Sequence, residues 1–449
     1  MRIRQLATRA ALSVALSAGL LGTAAATEAA ADSSTQLPIA GHADIVVDGV
    51  HDRVFISDPD SGSVVVTDYD GTVIERITSQ QGAFGLALSE DSTTLYVALR
   101  DADAISAVDT ATLRETARYA TGTDTEPQYP AVAGGRVWFG YGGPTRGDIG
   151  SLDLTGPQPA VGLGHVGRKW YTAPMLATSP GAPGMLVAGE TSSNPPQLAV
   201  YDVSAGGTRE TASLTASGGS VDDLAVTPDG TEVVVASGAP YHHQVYRTSD
   251  LSVSGRYTTN AYPNAVAITP DGSTVAAGIN GAYDPDVYLF RAGADTVIRT
   301  YDFPSTSINT TTLRPAGLAW ADDNSRLFAV TKTYESPTLT LRVLNDPARA
   351  VTTVTLDAPP TAPLGKKLTI TGTLASETPF PAGTTVRVTR YDYGLPEEGL
   401  ALGSYTVAAD GTFAFTDRPD TVGQTSYAVR YAGDPQHTAA QGVAYVDIT

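Results

Sequence analysis

The 449-residue chain contains no cysteine, three methionines, three tryptophans and six histidines. The missing thiol excludes a disulfide framework, a thiolate nucleophile, a cysteine-type zinc site and a lipidated cysteine. Charge is sparse, at 17% of residues, and unbalanced: 28 Lys and Arg against 47 Asp and Glu give a formal net charge of −19. That balance speaks against nucleic acid and anionic membrane as partners, because both are bound through cations that displace counterions. Beyond the N-terminus no run is apolar enough to span a bilayer, so no membrane insertion is expected. H-E-x-x-H, G-x-S-x-G and Walker patterns are all absent, and no cofactor is expected. No segment carries a sustained helical period.

What is present is 42% hydrophobic residues with 45 Gly and 29 Pro. That is apolar enough for a normal core, so disorder is not expected despite the Gly and Pro. Residues 1–31 form a separate kind of segment. Arg2, Arg4 and Arg9 give a positive start, residues 10–21 are a short apolar run, and Ala24-Ala25-Ala26 and Ala29-Ala30-Ala31 supply small residues. This is the pattern of a secretory signal peptide, with cleavage expected after Ala31 and Ala26 as the other site. The expected location is secreted, extracellular.

The middle of the chain repeats. Residues 86–98, 224–236, 266–278 and 318–330 each read as a short apolar strand, an Asp, Gly or Asn turn, and a second strand rich in Val and Leu. Asp and Gly suit tight hairpin turns, and β-branched residues suit buried strands. A third strand follows, often closing on Asp, as at Asp68, Asp109 and Asp202, and then a more polar fourth. Copies begin near Asp44, Phe84, Tyr129, Ala173, Asp222, Asn264 and Ala316. Their spacing of about 40–50 residues is the period of a four-stranded propeller blade. Radial repetition of this kind leaves only short, protected sheet edges.

Leu95-Tyr96-Val97-Ala98, followed by Ile105-Ser106-Ala107-Val108-Asp109, resembles the YVTN-type (YncE-like) repeat of secreted seven-bladed β-propellers. The Thr-Pro-Asp-Gly turns at Thr227 and Thr269 fit the same group. The resemblance implies an all-β fold with a seven-bladed β-propeller over residues 32–356. It is weakest over residues 128–164 and 170–214, where the turns diverge.

Composition shifts at Asp357-Ala358-Pro359-Pro360-Thr361-Ala362-Pro363, a proline-rich linker or first strand. Six or seven alternating strands follow in residues 357–449, the pattern of an immunoglobulin-like β-sandwich. Tyr431-Ala432-Gly433-Asp434-Pro435-Gln436-His437 resembles a signature of bacterial Ig-like repeats. The resemblance implies a spacer or adhesion module. With no cysteine pair, packing alone must hold its two sheets.

Candidate chemistry is thin. His242-His243 is the sole histidine pair, and neighbours in a strand point to opposite faces. Asp58-Pro59-Asp60-Ser61-Gly62 opens like a calcium loop, but its twelfth place is Tyr69, so a plain turn is expected and no metal site. Loop composition says more. In a propeller, first-to-second and third-to-fourth strand loops share one face, and here they are bland Asp-Gly turns. The other face collects aromatic and cationic residues, the enrichment that recognition surfaces use. Arg168, Trp170, Tyr171, Tyr241, His242, Tyr262, Arg314 and Tyr334 are the candidate ligand-binding residues. The expected function is non-enzymatic binding of a protein or polysaccharide by a monomer outside the cell. The alternative is a propeller enzyme, a lactonase-like hydrolase or lyase, for which Asp222, Asp223 and Glu190 are candidate axial acids.

Overall fold

The computed structural model describes residues 32–167, 169–216, 218–304, 310–334, 338–393, 395–396, 398–434 and 436–449. The expected leader at residues 1–31, and Arg168, lie outside them. The described residues form seven four-stranded antiparallel sheets, followed by one of three strands and one of five. The first strands of the seven sheets are Ile45–Asp48, Ala83–Leu88, Pro130–Ala133, Met175–Ala177, Val221–Val226, Pro263–Ile268 and Thr311–Trp320. Each lies against the first strand of the next sheet, and Thr311–Trp320 lies against Ile45–Asp48, so these strands form a closed ring. The layout is that of propeller blades. The last sheet takes its outer strand, Ser33–Gln36, from the start of the described chain, paired antiparallel with Leu339–Asn345.

Each sheet is covered on both faces by its neighbours. The middle strands are therefore continuous apolar runs and not alternating ones. Val54, Phe55 and Ile56 on one strand, and Val64, Val65 and Val66 on the next, are all completely buried. Phe55, Val64 and Val66 of the first sheet pack on Leu86, Leu95 and Val97 of the second. Outer strands such as Arg114–Ala120 and Arg209–Thr215 face water and are polar.

The hairpin turns follow the sequence pattern. Gly230 at φ +77° occupies the left-handed position of Thr227-Pro228-Asp229-Gly230, where a side chain would be strained. Asp229 closes this turn by accepting hydrogen bonds from Thr231 N at 3.0 Å and Thr227 Oγ1 at 2.6 Å. These turns join first to second strands. The antiparallel order then places the second-to-third loops and the sheet-to-sheet crossings together at the other end of the ring.

Strand Thr352–Asp357 pairs with Leu368–Ser376, which pairs with Thr412–Asp417. Residues 352–356, assigned from sequence to the propeller, are thus hydrogen-bonded into the C-terminal sheets. Their Thr-Val-Thr-Leu alternation, with Val354 and Leu356 turned to the C-terminal core, is the physical reason. The five-stranded sheet is built from Thr361–Ala362, Ala440–Ile448, Gly423–Tyr431, Thr385–Tyr391 and Leu400–Thr406. Ile370, Val386, Val388, Phe415, Tyr427 and Val446 fill one core between the two sheets. The Tyr431 to His437 segment ties this unit together. Asp434 accepts from Tyr431 Oη at 2.7 Å and meets His437 Nδ1 at 2.8 Å, while His437 Nε2 reaches the Thr378 carbonyl at 3.0 Å. Phe380 stacks on the His437 ring at 4.4 Å. Arg291 of the sixth sheet donates to Thr378 Oγ1 at 3.2 Å, linking the two parts of the chain.

Candidate functional site: a tyrosine-bearing face

Five tyrosines of the blade-like sheets are well exposed: Tyr171 at 47%, Tyr241 at 50%, Tyr262 at 52%, Tyr283 at 100% and Tyr334 at 85%. Tyr171 and Tyr262 lie in sheet-to-sheet crossings. Tyr241, Tyr283 and Tyr334 lie in second-to-third strand loops. All five therefore stand on the same end of the ring. Among the described residues of the seven sheets, no other Phe, Tyr or Trp is exposed to this degree. Tyr241 and Tyr262 meet edge to face, with ring centroids 4.9 Å apart, although they come from different loops.

The other candidates divide. His242 is half-buried, with Nε2 3.1 Å from Gln244 Oε1. Its neighbour His243 is fully buried, its Nε2 3.0 Å from the Ala265 carbonyl, and burial lowers its pKa to about 4. The two imidazoles do not converge on one ion. Arg314 is half-buried at the ring end of the seventh sheet's first strand. Trp170 is the correction. It is 2% exposed and packs with Trp138, Leu186, Tyr201 and Val203 between the third and fourth sheets. A large indole next to an apolar inter-sheet gap is driven into it, so Trp170 is core and not a contact residue. Lys169 beside it is paired with Glu210.

Carboxylates stand at the starts of the first strands, Asp44 ahead of the first sheet and Asp222 and Asp223 in the fifth. Asp44, ahead of the first sheet, accepts from Ile45 N and from Leu86 N of the second sheet, both at 2.8 Å. Asp223, in the fifth sheet, accepts from Leu224 N and from Val266 N of the sixth, again at 2.8 Å. Each carboxyl staples one sheet to the next. Burial raises Asp44 to about 7. Burial, then repulsion from Asp44 and Asp222, raises Asp223 to about 8 against the pull of its backbone hydrogen bonds. That Asp44, ahead of the first sheet, repels Asp223 in the fifth places both toward the axis. Burial raises Asp222 to about 6. Glu190 is buried and accepts from Tyr171 N at 2.7 Å, Thr172 Oγ1 at 3.1 Å and Ser192 N at 3.1 Å. Among the described residues no group of three His, Asp or Glu is placed to hold a metal. The Asp58 turn is likewise structural: its carboxylate accepts from Ala40 N, Gly41 N and Ser61 N.

Phe84 and Tyr129 stand edge to face at 5.4 Å near these acids, with the Arg100 guanidinium 5.2 Å over Phe84. Burial raises the Tyr129 phenol to about 12. The Asp44 and Asp223 staples were not among the sequence candidates for ligand binding. Their signal was available: both precede an apolar pair at the start of a repeat, Asp44-Ile45-Val46 and Asp223-Leu224-Ala225. At the opposite end of the ring a cavity of about 600 Å³ opens beside Leu86, Leu88, Pro130, Val132 and Leu176. Glu90 is the one charged residue on its wall, so it offers little directional chemistry.

No family model and no curated protein matches this chain. Solved structures do. The β-propeller domain of Myceliophteria_thermophila Cps50 (Swd1) is 13% identical with a TM-score of 0.54, over 70% of this chain and 100% of that one. The Kuenenia stuttgartiensis hydrazine synthase is 18% identical with a TM-score of 0.52, over 69% of this chain and 97% of that one. The larger part of the chain is a β-propeller. At these identities the likeness carries the fold alone, because unrelated functions share this architecture.

Proposed function

We propose that this is an exported, non-enzymatic binding protein, a seven-bladed propeller joined to an Ig-like module, that takes a polysaccharide on its tyrosine-bearing face. The observation that carries this reading is that, among the described residues of the seven sheets, every strongly exposed aromatic lies at one end of the ring. A tyrosine ring presents an apolar face and a polar tip, which suits stacking against the C–H face of a sugar while hydroxyls bond nearby. Tyr171, Tyr283 and Tyr334 are carried on three different loops, so the face offers several separate rings for successive sugar units. The leader-like residues 1–31 support export. The Ig-like module supports a role as spacer or adhesion unit.

The test is a pull-down on insoluble cell-wall polysaccharides and on secreted protein fractions, run beside a lactone hydrolysis assay with and without EDTA. Retention on polysaccharide, lost in Tyr241→Ala/Tyr262→Ala, is the expected result. Capture of a protein instead would transfer the face to a protein partner. Lactone turnover abolished by EDTA would overturn the non-enzymatic reading.

A further inference from the structure

Two cations on this face, Arg314 and Lys332, have no ion-pair partner among the described residues. The first strand of the seventh sheet pairs with Arg326–Thr333 as far as Leu313 and resumes at Leu318. The residues between, Arg314-Pro315-Ala316-Gly317, leave the register, with Ala316 at φ +47°. Bulges of this kind re-aim a side chain out of the ladder. Arg314 is half-buried, its Nε is sealed from solvent, and it has no hydrogen-bond or ion-pair partner among the described residues. Asp60 attracts it without forming an ion pair. Lys332, in register with Thr312 on the adjoining strand, is also half-buried and unpaired among the described residues.

Besides Asp60, the polar side chains near Arg314 are neutral ones. His42 is buried with both ring nitrogens unpaired among the described residues, and burial, then the charge of Arg314, lowers its pKa to about 3. Asn264 is buried and spends its amide on the Leu313 carbonyl at 2.9 Å. Neither neutralises the guanidinium. Elsewhere the chain pairs its buried cations: Arg390 meets Asp417 at 3.2 Å and Asp420 at 2.9 Å. A guanidinium drawn partly out of water, with no described protein group bonded to its Nη donors, is open to an acceptor from outside the chain.

We propose that Arg314 anchors a carboxylate of the ligand, so that the bound polysaccharide is an acidic one built from uronic acid units. This rests on the polysaccharide reading of the tyrosine face. The planar fork of Arg matches a carboxylate through two parallel hydrogen bonds, and Lys332 adds a second positive charge from the same sheet. The exposed tyrosines supply stacking for the sugar rings, and Arg314 supplies selectivity for charge.

Calorimetric titration of the full chain with polygalacturonate oligomers and with their methyl esters tests this, since esterification removes the charge and keeps the sugar. The acid form should bind at least about 10-fold more tightly than the ester, by a margin that shrinks as salt rises. Arg314→Gln should abolish that preference with an unchanged melting temperature, and Arg314→Lys should keep part of it. Equal binding of acid and ester by the wild type, or an unchanged preference in Arg314→Gln, would overturn the inference while the polysaccharide reading stands. Equal competition by sodium sulfate would overturn the carboxylate assignment. Failure of the wild type to bind either oligomer would overturn the uronic-acid inference, and retention on cell-wall polysaccharides would decide the polysaccharide reading separately.

Discussion

Substituting Asp223 by Asn isolates one staple of the ring. In the fold the carboxyl holds Leu224 N and Val266 N, and burial raises its pKa from the ordinary 3.8 to about 8. A pKa raised by folding means that the unfolded chain ionises first. The stabilising contribution is therefore complete below about pH 4 and is lost progressively until pH passes about 8. At about 1.4 kcal/mol for each tenfold change in proton affinity, the ceiling is roughly 5–6 kcal/mol. Asp223 is only half-buried, so solvent screens part of this, and about half is a working figure. Asn keeps the shape and one acceptor but cannot ionise, so Asp223→Asn should lose stability less steeply than the wild type between pH 5 and 9. The assay is the denaturant midpoint at several pH values for both chains. Taking the difference between the chains cancels His42 and His243, whose lowered pKa values subtract stability as pH falls below about 6.5. Asp44 acts in the same direction, and because it repels Asp223 the difference also contains the coupling between the two carboxyls. Parallel curves for wild type and variant across this range would refute the reasoning.

Other expectations follow from packing. Trp170→Ala should cost about 3–5 kcal/mol in unfolding free energy, whereas Tyr262→Ala should stay within about 1 kcal/mol, because one side chain is core and the other is exposed. Deleting residues 32–36 removes the outer strand of the seventh sheet and leaves Leu339–Asn345 as an open edge. It should lower the melting temperature and raise the tendency to associate, read by light scattering. Arg390→Ala should destabilise the C-terminal unit by about 3–5 kcal/mol, since Asp417 is left buried without its cation, and should leave polysaccharide retention unchanged.

The parts legible in the sequence were those governed by local rules. The Thr-Pro-Asp-Gly turns announce themselves because Gly230 needs a left-handed backbone and Asp229 bonds residues two positions away. The apolar runs at Val54-Phe55-Ile56 and Val64-Val65-Val66 mark strands covered on both faces. What escaped depends on distant contacts. Whether Trp170 meets solvent is decided by Trp138 and Tyr201, on other strands of the third and fourth sheets. Whether residues 352–356 end one unit or begin the next is decided by pairing with Leu368–Ser376, which alternation alone does not reveal. The isolation of Arg314 required knowing which acids come near it, and Asp60 lies more than 250 residues back in the chain.

The central claim, that the exposed tyrosines on one end of the propeller bind the ligand, is tested most directly by removing them. Retention on polysaccharide should be compared for the wild type and a chain carrying Tyr171→Ala, Tyr241→Ala, Tyr262→Ala, Tyr283→Ala and Tyr334→Ala. With about 0.5–1.5 kcal/mol for each stacking contact, two or three engaged rings amount to roughly a 5- to 2,000-fold loss of affinity. That loss, at an unchanged melting temperature, is the predicted result. Retention equal to that of the wild type in a folded variant would contradict it.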